Sequence, residues 1–329
     1  TCPSPITVNN DPGVCGATVT YAPATATDNC AGVTVAHTGG LGSGSVFPVG
    51  TTTETFTATD AAGNTHSCSF TVHVDEVENP VVTCPGDVTA SSDPGSCGAV
   101  VTYTAPTISD NCPGATVVQV AGIGSGNFFP DGDTTEIYEV TDAAGNMHTC
   151  SFIVTVNDVE NPVATCPANV VVTSDPGSCG AVVSYTPPTA TDNCPGESIA
   201  LFSGIGNGSF FPTGTTTEVY EAMDVAGNTH TCSFTVTVND NENPVPNCPA
   251  NVAVNSDPGV CGAAVTYTDP STTDNCPGST IALFSGLGNG ATFPIGTSTE
   301  EYEATDTTGN TARCSFTVTV TDSENPVAS

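Results

Sequence analysis

Two residue types in this chain fall at spacings that could do chemistry. Sixteen cysteines stand at 2, 15, 30 and 68, then at 84, 97, 112 and 150, then at 166, 179, 194 and 232, and finally at 248, 261, 276 and 314. The intervals within every set are the same, and each set lies 82 residues after the last. An even number at fixed spacing, with no C-x-x-C pair, points to two disulfides per set in an oxidising, extracellular setting, with zinc as the alternative that the spacing disfavours. Carboxylates recur in the same phase. The run Asn157-Asp158-Val159-Glu160-Asn161-Pro162 returns at 75–80, 239–244 and 321–326. Clustered carboxylates and carbonyls are what calcium takes, six to eight oxygens in flexible geometry.

The charge balance narrows the partners. Thirty-four acidic residues face one basic residue, Arg313, for a net charge of -33, which excludes nucleic acid and anionic membrane surfaces as partners. Apolar residues reach 37% and alternate regularly, while charged residues are 11%, so the chain reads as folded β structure and not as disordered polyanion. No nucleophile, base and acid recur together, so no enzyme is expected, and an enzymatic role would need a catalytic domain outside this sequence. His37, His66, His73, His148 and His230 do not recur in all repeats and read as surface positions. There is no initiating Met, no signal peptide and no apolar run long enough to span a membrane. Membrane insertion of this segment is not expected. Repeat phase puts the next cysteine just past Ser329, as in a window cut from a longer array.

Four modules must position these groups: 1–80, 81–162, 163–244 and 245–329. In the second, Ser92-Asp93-Pro94-Gly95 reads as a type II turn between two short strands, with Val88 and Ala90 before it and Ala99, Val101 and Tyr103 after it on one face. A third strand is predicted near Thr116 to Ala121. Two longer ones follow, Thr134 to Thr141 with Tyr138 and Val140 inward, and Met147 to Val156 with Cys150, Phe152, Val154 and Val156 inward. Ala143-Ala144-Gly145-Asn146 joins them as a hairpin. About seven short strands per repeat and no helical period predict an all-β fold: tandem immunoglobulin-like β-sandwiches arranged as an elongated rod. Such thin cores need staples.

The succession of Cys-Pro, Asp-Pro-Gly, Ala-Val-Val-Thr-Tyr-Thr-Ala-Pro-Thr, Ser-Asp-Asn, Phe-Phe-Pro-Asp-Gly-Asp-Thr-Thr, Thr-Asp-Ala-Ala-Gly-Asn and Cys-Ser-Phe-Ile-Val-Thr-Val resembles the hyalin repeat, or HYR, domain, four times over. The resemblance implies immunoglobulin-like modules of extracellular matrix, adhesion and bacterial surface proteins, in tandem and without catalysis. Four cysteines per repeat resemble the bacterial members. Animal members keep cysteines matching the first and fourth here, which implies Cys2-Cys68, Cys84-Cys150, Cys166-Cys232 and Cys248-Cys314. The remainder would then pair as Cys15-Cys30, Cys97-Cys112, Cys179-Cys194 and Cys261-Cys276.

Strand direction locates the carboxylates. The final strand of each module runs into the next junction, so it ends at the far pole and the Ala-Ala-Gly-Asn hairpin lies at the near one. The incoming junction, the Ser-Asp-Asn segment and the hairpin should therefore converge. These supply Glu76, Glu78, Asp110 and Asp142 for the second module, Asp158, Glu160, Asp192 and Asp224 for the third, and Asp240, Glu242, Asp274 and Asp306 for the fourth. Calcium is the expected cofactor, and the junction resembles the acidic Asn/Asp-Pro linkers of cadherins; solvated linkers and turn-capping aspartates are the plainer alternative. One conflict is visible. If the second cysteine opens its strand at the far pole, its partner must lie there too, yet the third sits two residues after the near-pole aspartate, and a disulfide spans only about 4.4 to 6.8 Å between Cα atoms. Unless that segment folds back, Asp110, Asp192 and Asp274 are the ligands that give way to the pairing.

The functional expectation is an extracellular or cell-surface structural protein, a slice or subunit of a rod or filament. The alternative is an adhesin gripping a glycan or protein through its loops, although the Gly-rich stretches at 122–127, 204–209 and 286–291 are nearly alike. Expected partners are further repeats, in the same longer chain or head-to-tail between chains, where the tail 324–329 could complete a neighbour's first module by strand addition.

Overall fold

The computed structural model describes residues 1–326, and every regular element among them is a β-strand. The tail residues 327–329, part of the strand-addition expectation, lie outside the described residues. The chain divides into two compact units, Thr1–Glu160 and Asn161–Ser329, each holding two modules.

The second module serves for all. The final strand, Met147–Asn157, sits between Gly132–Thr141, antiparallel, and Val88–Ser91, parallel. Thr116–Ala121 closes the four-stranded sheet on the other side of Gly132–Thr141. Facing it are two short antiparallel pairs, Gly98–Val101 with Asn127–Pro130 and Val81–Thr83 with Thr107–Ser109. The alternation read from sequence holds: Phe152, Val154 and Val156 point into a core completed by Ala99, Val101 and Phe129, with Tyr103 and Tyr138 packed against it. Asn127–Pro130 and Thr107–Ser109 are strands that the sequence pattern left as connections. Phe129 is fully buried, and Phe128 beside it is half exposed, as the period of two requires.

The parallel pairing of Val88–Ser91 with the final strand settles strand direction. Both run from near pole to far pole, and Ser92 N donates to Asn157 O where they end (2.8 Å). The turn that follows is type II: Ser96 N donates to Asp93 O (2.9 Å), and Gly95 has φ +70°.

Each module is stapled by its first and fourth cysteines, Cys2–Cys68, Cys84–Cys150, Cys166–Cys232 and Cys248–Cys314, each across 66 residues. The expected pairing of second with third cysteines is overturned. Cys15 is bonded to Cys112 and Cys179 to Cys276, each across 97 residues, from one module to the next. These two bonds rule out Cys15-Cys30, Cys97-Cys112, Cys179-Cys194 and Cys261-Cys276 at once. Cys97 and Cys194 are themselves disulfide-bonded, while Cys30 and Cys261 are free and exposed. The physical reason is the pole conflict. The second cysteine follows the far-pole turn and the third sits at a near pole, so within one module they are a module's length apart. Across a joint they meet, with Cα atoms 4.8 Å and 4.7 Å apart.

Candidate metal centre

The joint between the third and fourth modules lies wholly within the second unit. Three elements meet there, as strand direction required. The junction brings Asp240, the segment after the second strand brings Asp274, and the closing hairpin brings Asp306. One oxygen from each lies within 4.8 Å of the others, and Asp240 and Asp306 are more than nine-tenths buried.

Their hydrogen bonds differ in kind. Asp306 is the hairpin's own cap. Its Oδ1 accepts from the backbone N–H groups of Thr308 (2.8 Å), Gly309 (2.6 Å) and Asn310 (2.8 Å), and its Oδ2 from Asn310 Nδ2 (2.8 Å). Burial pushes its carboxyl up, but Asn310 and these N–H groups outweigh that and hold it below the usual range. Asp240 spends one oxygen only. Its Oδ1 accepts from Glu242 N (3.2 Å), Asn275 Nδ2 (3.1 Å) and Ser174 Oγ (3.3 Å), while its buried Oδ2 has no donor. Asp274 Oδ2 accepts from Cys276 N (3.1 Å), and its buried Oδ1 also has none; the same holds for Asn275 Oδ1. Three acceptor atoms are thus sealed from water without a proton to accept.

Two carboxylates this close repel by roughly 3 kcal/mol at an effective dielectric of about 20. The protein offers no cation of its own to relieve this. Arg313 is held elsewhere, between Glu303 (2.7 Å) and Glu301 (3.8 Å), with its guanidinium 3.2 Å from the centre of the Phe284 ring. An all-oxygen donor set of two or three carboxylates, an amide carbonyl and nearby backbone fits a hard divalent ion of calcium type and not zinc.

Glu242 is not in this set. Its carboxylate accepts from Gly177 N in the far-pole turn of the third module (2.8 Å). Glu78 does the same for Gly13, both oxygens at 3.0 Å, and Glu160 for Gly95 at 3.0 and 2.9 Å. The second acid of each junction therefore clips the junction to the module it leaves.

The joint between the first and second modules, inside the first unit, is built differently. Glu76, with one more methylene than Asp240, sets Oε2 2.9 Å from both Asn111 Nδ2 and Cys112 Sγ. It clusters with Cys15 and Cys112, whose sulfurs are joined to each other and offer no thiolate to a metal. Asp110 Oδ1 is buried without a donor, and Asp142 is bound to its own hairpin through Ala144, Gly145 and Asn146 N–H groups at 2.9, 2.7 and 2.8 Å. Among the described residues, Glu76, Asp110 and Asp142 form no three-carboxylate set. Asp158, buried, accepts from Ser92 Oγ (3.1 Å) and Glu160 N (3.2 Å) within the first unit. In the second unit, Asp192 Oδ2 accepts from Cys194 N (3.1 Å) and Asp224 Oδ1 from Asn228 N (2.8 Å).

Sequence reasoning missed a second carboxylate system. Glu54, Glu136, Glu218 and Glu300 have no exposed surface. Each pins its Gly-rich loop. Glu136 accepts from Ile123 N (2.6 Å), Gly124 N (3.0 Å), Gln119 Nε2 (2.7 Å) and Tyr103 Oη (2.6 Å). In the first module His37 Nε2 stands in the place of Gln119, 2.7 Å from Glu54, so this histidine is no plain surface residue. A signal was present: Glu136 alternates with Tyr138 and Val140 and so belongs to the inward face.

A family model agrees with the four-repeat organisation. The HYR domain model matches residues 1–74, 75–156, 157–238 and 239–320, opening each later copy at the acidic junction. Hyalin of Strongylocentrotus purpuratus is 37% identical over 318 residues, 94% of this chain and 26% of that protein. Hyalin of Lytechinus variegatus is 34% identical over 331 residues, 97% of this chain and 61% of that protein. The chain thus spans less than two thirds of either relative. Among solved structures, extracellular cadherin domains 1–5 of protocadherin gamma B2 superpose with a TM-score of 0.36 at 14% identity, covering 99% of this chain and 81% of that one. With one HYR match in each of its four repeats and hyalin identity along nearly its whole length, the chain belongs to the HYR-domain family.

Proposed function

We propose that this chain is a non-enzymatic structural array of the extracellular matrix or cell surface, whose first-to-second and third-to-fourth joints are locked by disulfides and whose third-to-fourth joint is stiffened by calcium. The observation that carries the calcium reading is the pair of buried, donorless carboxylate oxygens, Asp240 Oδ2 and Asp274 Oδ1, set against the hairpin carboxylate of Asp306. Asp240, Asp274 and Asn275 would hold the ion. It would neutralise the repulsion between elements of two modules and so resist bending at the joint.

The four Gly-rich loops support a scaffold over an adhesin. Each is tied to a buried glutamate in the same way, which favours one repeated shape over a specialised loop. The test is thermal unfolding and X-ray scattering in calcium and in chelator. Calcium at about 100 times its dissociation constant should stabilise the joint by about 2.7 kcal/mol. Asp240→Asn and Asp274→Asn should remove that increment and, by relieving the repulsion among the three carboxylates, leave the chelated protein at least as stable as the parent in chelator. Equal melting and equal scattering in calcium and chelator would sink the calcium reading.

A further inference from the structure

The bridges at the two joints obey one rule: the second cysteine of a module bonds to the third cysteine of the module that follows. Applied to the free cysteines, the rule makes them complementary. Cys261 is the second cysteine of the fourth module and Cys30 the third of the first.

Each stands in a half-joint already shaped like the closed ones. On the fourth module, Gly259 N donates to Glu324 (2.8 Å) as Gly177 N does to Glu242 (2.8 Å). An open cavity there is lined by Val260, Cys261, Ile295, Asp322 and Glu324, and Val260 and Ile295 are exposed apolar residues beside the thiol. On the first module, Cys30 N donates to Asp28 Oδ2 (3.2 Å) as Cys276 N does to Asp274 (3.1 Å). Asp60 accepts from Ala62 N, Asn64 N and Asn64 Nδ2, each at 2.8 Å, as Asp306 does from its hairpin. A second cavity is lined by Asp28, Asp60 and Asn64. Neither face needs refolding to receive the other.

We propose that these two faces dock between copies of this chain, with Cys261 of one bonded to Cys30 of the next, so that the array extends as a covalent head-to-tail polymer. The closed joints fix the remaining contacts. Asn275 Nδ2 donates to Ser178 O (3.1 Å) and Asn310 Nδ2 to Asp240 O (3.2 Å), so Asn29 should donate to the carbonyl of Val260 and Asn64 to that of Asp322. The same superposition places Asp322 with Asp28 and Asp60; this part alone rests on the calcium reading.

The bond forms by thiol–disulfide exchange with a small disulfide oxidant such as glutathione disulfide. The Cys261 thiolate attacks it, expelling one thiol and leaving a mixed disulfide. The Cys30 thiolate of the second copy attacks the Cys261 sulfur and expels the second thiol. The oxidant gains two electrons and the two cysteine protons, and ends as two thiols.

The test is incubation of the purified chain in a glutathione redox buffer, with calcium and with chelator, followed by non-reducing denaturing electrophoresis and peptide mass mapping. The expected result is a ladder of multiples, with one cross-link joining the Cys30 and Cys261 peptides. Cys30→Ser and Cys261→Ser should each melt like the parent and lose the ladder, and an equimolar mixture of the two should yield a single heterodimer. Monomer with both cysteines as thiols or glutathione adducts overturns the proposal, as does a symmetric Cys30 to Cys30 or Cys261 to Cys261 link. Failure here with calcium still raising the melting temperature leaves the structural array standing. A ladder equal in calcium and chelator, with melting unmoved by either, removes calcium and keeps the polymer.

Discussion

At the scale of single residues, the buried glutamates are the most demanding feature. Removing a carboxylate that satisfies two backbone N–H groups leaves those donors buried and unpaired, which costs more than the bond itself contributed. Glu136→Gln keeps the volume but turns an N–H2 toward donors, and should destabilise the second module by about 3 kcal/mol in chemical denaturation. Glu54 adds a pH dependence. Burial pushes its carboxyl up, but the Tyr21 hydroxyl, the Leu41 and Gly42 N–H groups and His37 outweigh that and hold it below the usual glutamate value. A depressed native pKa gives stability that is complete above the unfolded value, about 4.3, and lost as pH falls through the folded one. The first module should therefore lose stability below about pH 4, followed by near-ultraviolet circular dichroism, and Glu54→Gln should lack this share of the acid sensitivity while being less stable at neutral pH.

At the scale of elements, the joint combines three short pieces that are each locally ordinary. The Asp-Pro-Gly turn, the Asp-Asn-Cys segment and the Gly-Asn hairpin are common turn chemistry, and their aspartates cap backbone groups as such residues do. What makes a joint of them is the parallel pairing that sends the first part of each module and its last strand to the same pole. The bridge then closes a loop of 97 residues, worth on the order of 4 to 5 kcal/mol in the chain-entropy account. Replacing Cys15 and Cys112 together by Ser should cost on that order and uncouple the first two modules, seen as two calorimetric transitions in place of one. The double replacement of Cys84 and Cys150 should instead destabilise the second module alone.

For the molecule as a whole, the charge of -33 sets the conditions under which the array is stable. Self-repulsion is screened over about 8 Å at physiological ionic strength. In chelator, raising salt should raise the melting temperature; in saturating calcium the same salt increment should do less, because the ion has already neutralised the worst cluster. A salt response of equal size in both conditions would count against a specific ion at Asp240 and Asp274.

The sequence alone determined the module, because its determinants are local. Alternation of Phe152, Val154 and Val156 sets a strand face, Pro94 and Gly95 set a turn, and the 82-residue phase sets the repeat. It also carried enough strand direction to bring Asp240, Asp274 and Asp306 to one pole, and to set that placement against a Cys15-Cys30 bond, but not to say which of the two gives way; the bond of Cys15 to Cys112 decided it. Tertiary structure decided the rest. Partner choice for a cysteine depends on which Cα lies within bonding reach, and that distance is set by how one module seats on the next, not by spacing along the chain. Likewise Glu78 and Glu242 carry the same charge as the proposed ligands, but only the folded turn shows their oxygens already taken by Gly13 and Gly177.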